Sequence, residues 1–258
     1  MSQWYFCDVL LDDLGIVTAV SDSHKTVEKR GENIVIPFHY GRVWNAKYFD
    51  ERALTLGLEI VTESIAALED AIDTVKALLG RSTLGELKQV MENGSVRIGY
   101  AEHIGDLGTT RSSPNSEKIL LELRMPDPFF YAETITEETY VINTSPKTIT
   151  MNNSGTVEER KPIITLTGPL EDVQIANETN GVTLNYSGVV PAGETVIISR
   201  NIYHEYTALW GAVNVIGRVS HSGSSAFMIL SKGDNTIKVY SDLASTGSVK
   251  FSFYAPYL

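Results

Sequence analysis

Two hydrophobic periods follow each other in the first half of the chain. Arg52–Ile60 alternates, so that leucines and an isoleucine at every second position share one face, as in a half-buried strand. The period then becomes that of an amphipathic helix, with apolar positions at Ile65, Leu68, Ile72, Val75, Leu78 and Leu79. Thr62 or Ser64 can cap its start, and Gly80 stands where a left-handed C-terminal residue is expected. The pattern predicts a strand followed by one long helix, with Leu68 and Ile72 in the core.

A second, shorter helix is predicted over Leu84–Met91. Thr83 precedes it and Glu86 follows three residues later, which is the spacing of a capping box. Asn93-Gly94 is a turn signal and ends the segment.

The rest of the first half favours strands. Trp4–Leu11 and Asn33–Tyr40 are predicted strands, and Pro37 restricts the latter to an edge or a bend. Ser95–Ala101 and Lys118–Arg124 are two more, joined by a long polar loop from His103 to Ser116. A long connection inside a compact domain is usually functional or disordered, so this loop is a candidate contact region.

Short strands separated by turn signals fill the second half. The predicted strands are Ile163–Thr167, Val173–Ala176, Val182–Tyr186, Thr195–Ser199, Asn214–Arg218, Ala226–Leu230, Thr236–Tyr240 and Val249–Tyr254. About eight strands in some hundred residues indicate a β-sandwich or jelly roll. The overall prediction is a mainly β fold. It has an α+β N-terminal domain of residues 1–150, with one long helix packed on strands, and a C-terminal β-sandwich of residues 151–258.

Composition narrows the class of protein. The chain has 258 residues, enough for two domains at about 100–200 residues each. Its net charge is −11, and nucleic-acid binders usually carry a basic patch, so specific nucleic-acid binding is not expected. No apolar run approaches the roughly 20 residues that cross a membrane, and the first residues do not resemble a secretory signal. Cys7 is the single cysteine, which excludes an internal disulfide.

The sequence contains no catalytic or metal-binding motif that predicts an enzyme. No two histidines have the i, i+4 spacing of a zinc-binding helix, and G-x-S-x-G is absent. We therefore predict a non-enzymatic protein with no catalytic residues, no metal and no cofactor. Two interpretations of the aromatic residues Tyr203, Tyr206 and Trp210 stay open. They pack in the core, or they contact a saccharide by stacking against its ring.

The order of several short motifs resembles one family, the distal tail proteins of long-tailed, non-contractile bacteriophages. Pro126 and Pro128 end the strand-like run that starts at Ile119, because proline cannot donate to a sheet ladder. The other segments that carry the resemblance are Arg52–Leu56 with the helix behind it, Leu84–Leu87, Gly94–Ala101, Asn152–Gly155, Pro162–Gly168, Val189–Ile198, Leu230–Ile237 and Val249–Leu258.

The resemblance implies a structural virion protein at the tail tip, made and assembled in the host bacterial cytoplasm. It implies that the N-terminal domain forms a homohexameric ring with a central channel for the tape measure and DNA. The C-terminal domain would be a galectin-like or carbohydrate-module-like sandwich that faces outward. The implied partners are the tail tube protein, the tail-tip hub or tail-associated protein, and receptor-binding proteins; the His103–Ser116 loop is then expected to contact a neighbouring subunit or the tube. The alternative is a carbohydrate-binding module that recognises the bacterial surface.

Overall fold

The structure is a computed structural model that describes residues 3–14, 16–21, 29–30, 34–35, 42–43, 48–80, 83–200, 205–223, 227–243 and 246–258. The chain forms two compact units, the first ending at Phe130 and the second running from Tyr131 to Tyr257. This division falls earlier than the predicted one after residue 150, because residues 136–153 form strands of the second unit. The fold is mainly β, as predicted. No helix among the described residues combines the length and the apolar character that a membrane crossing requires.

The first unit is an antiparallel sheet with one long helix. Its elements are β1 (Gln3–Phe6), β2 (Val9–Leu10), α1 (Leu11–Leu14), β3 (Ile16–Ser21), β4 (Lys29–Arg30), β5 (Ile34–Val35), β6 (Arg42–Val43), β7 (Tyr48–Phe49), β8 (Arg52–Val61), α2 (Ile65–Leu79), β9 (Gly85–Val90), β10 (Val96–His103), β11 (Gly108–Ser113), β12 (Ser116–Met125) and β13 (Phe130–Ala132). The main sheet has the order β2-β1-β9-β10-β12-β8-β3, and β11 pairs with β12. β4 pairs with β7, and β5 with β6.

The pairing of β8 with β12 forms the centre of this unit. The two strands are in register from Arg52↔Met125 to Val61↔Ser116. The alternating apolar residues of β8 are buried as predicted, and every second residue of β12 joins them; the buried residues are Leu54, Leu56, Leu58, Ile60, Ile119, Leu121, Leu123 and Met125. The period-2 pattern therefore placed the core face of β8 correctly.

Helix α2 also forms where its period predicts it. The Ser64 hydroxyl accepts a hydrogen bond from the Ala67 amide at 3.2 Å, which caps the first turn. Leu68 is buried, but Ile72 is only half-buried because it lies at the margin of the face that packs on β8. Gly80 has φ −70°, so the expected left-handed terminus is wrong. Its amide donates to the carbonyl of Lys76 and closes the last turn in right-handed geometry.

The predicted second helix is wrong, because Gly85–Val90 is strand β9. β9 pairs with β1 on one side, through Trp4↔Gln89, and with β10 on the other, through Gly99↔Leu87. Alternate residues of β9 are buried, as a strand between two partners requires. The backbone hydrogen bonds that β9 makes with β1 and β10 outweigh the helix-capping pattern of Thr83 and Glu86.

Two further expectations for this unit are corrected. Trp4–Leu11 is not one strand, because Cys7 and Asp8 have positive φ and turn the chain between β1 and β2. The predicted polar loop from His103 to Ser116 contains strand β11, which forms a hairpin with β12. Of the predicted strand Asn33–Tyr40, only Ile34–Val35 lies within the described residues.

The second unit is an antiparallel β-sandwich, as predicted. Its further elements are β14 (Thr136–Val141), β15 (Lys147–Asn153), β16 (Ile163–Thr167), β17 (Leu170–Asn177), β18 (Val182–Val190), β19 (Thr195–Arg200), β20 (Tyr206–Trp210), β21 (Val213–Asn214), the 3-10 turn η1 (Ile216–Arg218), β22 (Val219–Ser222), β23 (Gly233–Tyr240), β24 (Ser248–Phe253) and β25 (Pro256–Tyr257). Within the described residues, one sheet has the order β14-β24-β16-β19-β20-β21 and the other β15-β23-β17-β18-β22. Their inner faces share one hydrophobic core, in which Phe251 and Tyr186 are the largest of the fully buried side chains.

Several strand bounds of the sandwich differ from the prediction. β14 and β15 arise from a threonine-rich passage that carries little apolar signal. The predicted strand Asn214–Arg218 is mostly the turn η1. In the predicted strand Ala226–Leu230, Leu230 makes only an isolated bridge to Glu159, and Ala226 lies outside the described residues. β20 was not predicted.

Candidate interaction surfaces

The first candidate surface is the edge strand β11, which lies inside the predicted contact loop. Residues 108–112 are exposed, and β12 is the only strand that pairs with β11 among the described residues. An unpaired strand edge presents backbone N–H and C=O groups that another chain can extend. Exposed Leu120 of β12 lies opposite Gly108 and adds an apolar side chain to this surface.

The hairpin that carries β11 is fixed by hydrogen bonds at its tip. The Arg111 guanidinium donates to the Pro114 carbonyl at 2.6 Å. The Asn115 amide side chain donates to the Thr62 carbonyl at 2.6 Å, and the Thr62 backbone amide donates to the Asn115 carbonyl at 3.0 Å. The tip is thereby tied to the residues that connect β8 to α2. The exposed edge is a preformed feature of the first unit.

The second candidate surface surrounds Tyr206 in the sandwich. The Tyr206 ring stacks on the Phe227 ring with centroids 3.9 Å apart, and His221 contacts Phe227 at 4.9 Å. The Arg200 guanidinium lies 5.3 Å from the Tyr206 ring centroid. The Tyr206 hydroxyl is buried and has no hydrogen-bond partner among the described residues. This cluster was not foreseen, since its members come from four separate places in the sequence.

A small cleft adjoins this cluster. Its volume is about 200 Å³ including space open to solvent, which is below the roughly 300–1,000 Å³ of typical ligand pockets. Its lining residues are Arg160, Pro162, Ile164, Ile198, Ser199, Tyr206, Phe227 and Met228. The cleft offers guanidinium, hydroxyl and aromatic groups to a small polar ligand.

Trp210 lies on the same strand as Tyr206, and the two side chains share the core-facing side of β20 with buried Ala208. The half-buried Trp210 ring packs against the sandwich core. Its indole N–H donates to Glu194 Oε2 at 3.2 Å, and the Arg218 guanidinium lies 5.7 Å from the ring centroid. Tyr203 lies outside the described residues. Of the three predicted saccharide contacts, the structure therefore brings two onto one strand, each already in contact with protein groups.

No group of three or more metal-ligating side chains occurs in the described part of the chain. The exposed edge of β11 is suited to strand pairing, and the Tyr206 cluster is suited to aromatic or charged contacts.

The fold of the chain has a counterpart among solved structures. Among solved structures, the chain is similar to the SPP1 Dit protein (gp 19.1), a paradigm of the hub adsorption apparatus in phages that infect Gram-positive bacteria. The TM-score is 0.73 at 14% sequence identity, over 100% of both chains. The family resemblance of the sequence is therefore confirmed at the level of the fold.

Two further matches are weaker. They are to the phage p2 baseplate in its activated conformation, with strontium (TM-score 0.48, 10% identity, 100% of each chain) and with calcium (TM-score 0.43, 10% identity, 98% of each chain). No protein-family model and no curated protein matches the sequence.

Proposed function

We propose that this chain is a structural component of a phage tail. In this proposal six copies form a ring at the distal end of the tail tube, with a central channel for the tape measure and DNA. The ring joins the tube to the tip or baseplate and to host-recognition proteins. The observation that carries the proposal is the full-length fold similarity to SPP1 Dit, a hub protein, at a TM-score of 0.73.

The two units are assigned different roles in this proposal. The first unit forms the ring, and the β11 edge is its contact with the neighbouring copy or the tail tube protein. The sandwich faces outward and binds the tail-tip hub, the tail-associated protein or receptor-binding proteins. The protein acts without catalysis in the virion, after assembly in the bacterial cytoplasm.

The test of the proposal is the solution mass of the purified protein over a concentration series, with negative-stain images of the main species. We expect six-subunit rings with a central hole, formed by the protein alone or after addition of the tail tube protein. A protein that stays monomeric under both conditions contradicts the ring.

The role of β11 has its own test. Thr110→Lys places a long charged side chain on the exposed edge, which is how natural edge strands avoid pairing. We expect this variant to lose rings at concentrations where the wild type forms them. Thr150→Lys is the matched control, because Thr150 is exposed on β15, an edge strand of the sandwich. Intact rings after Thr110→Lys and after deletion of Leu107–Asn115 would refute the role of β11, while the hub proposal would stand.

A second candidate function is saccharide binding by the sandwich. The cluster of Tyr206, Phe227, His221 and Arg200 favours it, because aromatic rings and guanidinium groups are common in sugar sites. A glycan screen with the wild type, Tyr206→Ala and Trp210→Ala tests it. Binding that Tyr206→Ala abolishes supports this function, and no binding to any bacterial surface glycan contradicts it.

A further inference from the structure

Arg52 occupies a position where the pattern of its strand calls for an apolar residue. It is the first residue of β8 and continues the row of Leu54, Leu56, Leu58 and Ile60 on the core face. Its exposed fraction is 4%, and it lies opposite Met125, which is fully buried. Arginine is almost never buried to this extent unless it is paired.

The guanidinium of Arg52 has no counter-ion among the described residues. Its Nε and Nη2 atoms are buried and make no hydrogen bond. The guanidinium carbon lies 5.4 Å from the centre of the Phe130 ring, which is a cation–π contact. Burial, and secondarily the like charge of Arg97, lower the pKa of Arg52. Buried guanidinium nitrogens without a hydrogen-bond acceptor destabilise the folded state. The described residues supply no such acceptor for these two atoms, so a bound ligand that supplies one would stabilise the fold.

Arg124, a neighbour of Arg52 in the sheet, differs from it because Arg124 is paired with carboxylates. It lies next to Arg52 across the β8–β12 ladder, opposite Ala53, and so on the other face of the sheet. Arg124 Nη2 lies 2.6 Å from Glu102 Oε1, and Arg124 Nε lies 3.8 Å from Glu51 Oε2. The hydrogen bonds that the Arg124 guanidinium donates to the Glu102 carboxylate raise the pKa of Arg124. Two arginines in adjacent ladder positions therefore differ in one respect that matters for ligand binding: half-buried Arg124 has carboxylate partners, and buried Arg52 has none among the described residues.

We propose that Arg52 is the anchor of a carboxylate-binding site in the first unit. A planar carboxylate fits the fork of a guanidinium through two parallel hydrogen bonds, and Nε with one Nη forms such a fork. A carboxylate also carries less charge into the apolar surroundings of Met125 and Phe130 than a phosphate group does. The carboxylate comes from a small free anion or from an Asp or Glu side chain of a second copy of this chain.

The surroundings of Arg52 allow access without rebuilding the sheet. Arg52 is the first residue of β8, so its guanidinium is attached at an end of the β8–β12 ladder and not in the middle of the sheet. The Met125 side chain that lies across the ladder is flexible and unbranched, and can shift around a small ligand. Formate, the smallest carboxylate, is therefore the appropriate probe. The observations that support this site do not depend on the proposed tail function.

The test compares wild type, Arg52→Met and Arg124→Met in sodium formate and in sodium chloride at equal ionic strength. In chloride we expect Arg52→Met to unfold at the same temperature as the wild type or higher, because an apolar side chain of similar length replaces an unpaired buried charge. We expect formate at roughly tenfold excess over its dissociation constant to raise the wild-type unfolding temperature by about 4 °C relative to chloride. Arg124→Met keeps this response, and Arg52→Met loses it.

A second measurement separates the two sources of the carboxylate. The mass distribution of wild type and Arg52→Met is compared by light scattering, with and without formate. If Arg52→Met removes self-association and formate weakens it, the carboxylate belongs to a second copy of the chain. Unchanged self-association together with a formate response assigns it to a free anion. The proposal is overturned if Arg52→Met is clearly less stable than the wild type in chloride. It is also overturned if the wild type shows neither a formate response nor self-association that depends on Arg52.

Discussion

Asn235 is the centre of a buried amide network that holds the segment before β23 in place. It is 0% exposed. Its Nδ2 donates to the carbonyls of Ser231 at 2.8 Å and Gly233 at 2.9 Å. Its Oδ1 accepts from the Ser231 amide at 2.8 Å and from Asn177 Nδ2 at 2.9 Å. The same Asn177 amide donates to the Ile229 carbonyl at 2.8 Å, so the network fixes the backbone just after Phe227 of the aromatic cluster.

Asn235→Asp tests this network with almost no change of shape. The carboxylate still accepts hydrogen bonds, but it cannot donate, so the carbonyls of Ser231 and Gly233 lose their partner. Both carbonyls are partly buried, and each one left unpaired costs about 1–3 kcal/mol, with a charge placed beside both. We expect the free energy of unfolding to fall by about 4 kcal/mol at neutral pH.

The loss of unfolding free energy in Asn235→Asp is expected to become smaller as the pH falls. Burial raises the folded-state pKa of the introduced carboxyl above its unfolded value of about 3.9. Over the range between these two values the folded variant binds more protons than the unfolded one, so the variant gains stability relative to wild type as the pH falls. The protonated acid can again donate one hydrogen bond, so about half of the loss is expected to return.

The assay is urea denaturation of wild type and Asn235→Asp at neutral and mildly acidic pH. Asn185→Asp is the matched control, because Asn185 lies on the same sheet and its Oδ1 accepts from Gln174 Nε2 at 3.0 Å, a role that aspartate keeps. We expect the control to lose less than about 0.5 kcal/mol. A loss below about 1 kcal/mol for Asn235→Asp, or a loss that does not change with pH, would refute the reasoning.

Two further perturbations test the two units separately. Leu68→Ala removes a side chain of α2 that is 1% exposed, so we expect a loss of about 3 kcal/mol in denaturant titration, against less than about 0.5 kcal/mol for Ile65→Ala at a position 49% exposed. Glu137 accepts a hydrogen bond from Lys250 at 3.1 Å, and this contact is the main cause that lowers the pKa of Glu137. The stability it contributes is therefore present at neutral pH and lost as the pH falls through that lowered pKa, so the melting temperatures of wild type and Glu137→Gln are expected to converge in acid.

The parts of the fold that were predictable are those whose signal is local. β8 and α2 each have one periodic apolar face, and each forms where its period predicts it. β9 shows the opposite case. Thr83 and Glu86 have the spacing of a capping box, yet the segment lies between β1 and β10 and takes their backbone hydrogen bonds. A helix there would leave both neighbouring strands with unpaired edges inside the sheet.

The candidate surfaces were only partly predictable for the same reason. The exposed polar stretch before Ser116 was found from its length and composition, but its strand β11 has little apolar signal and depends on its pairing with β12. The cluster around Tyr206 joins residues from Arg200 to Phe227 that share no spacing rule. Arg52 did leave a signal, since extending the alternation of β8 by one step places an arginine on the core face.

The charge of the chain connects the Arg52 site with the proposed ring. Copies with a net charge of −11 repel each other, so self-assembly needs either screening by salt or specific contacts between opposite charges. A half-buried arginine such as Arg124, already paired with Glu102, contributes little to such a contact. Arg52 is buried and has no counter-ion within the part of the chain that the structure describes, so it gains more from a carboxylate, because the cost of removing it from water is already included in the folded chain. Among the described arginines, Arg52 is therefore a position where an acidic neighbour can be attracted rather than repelled.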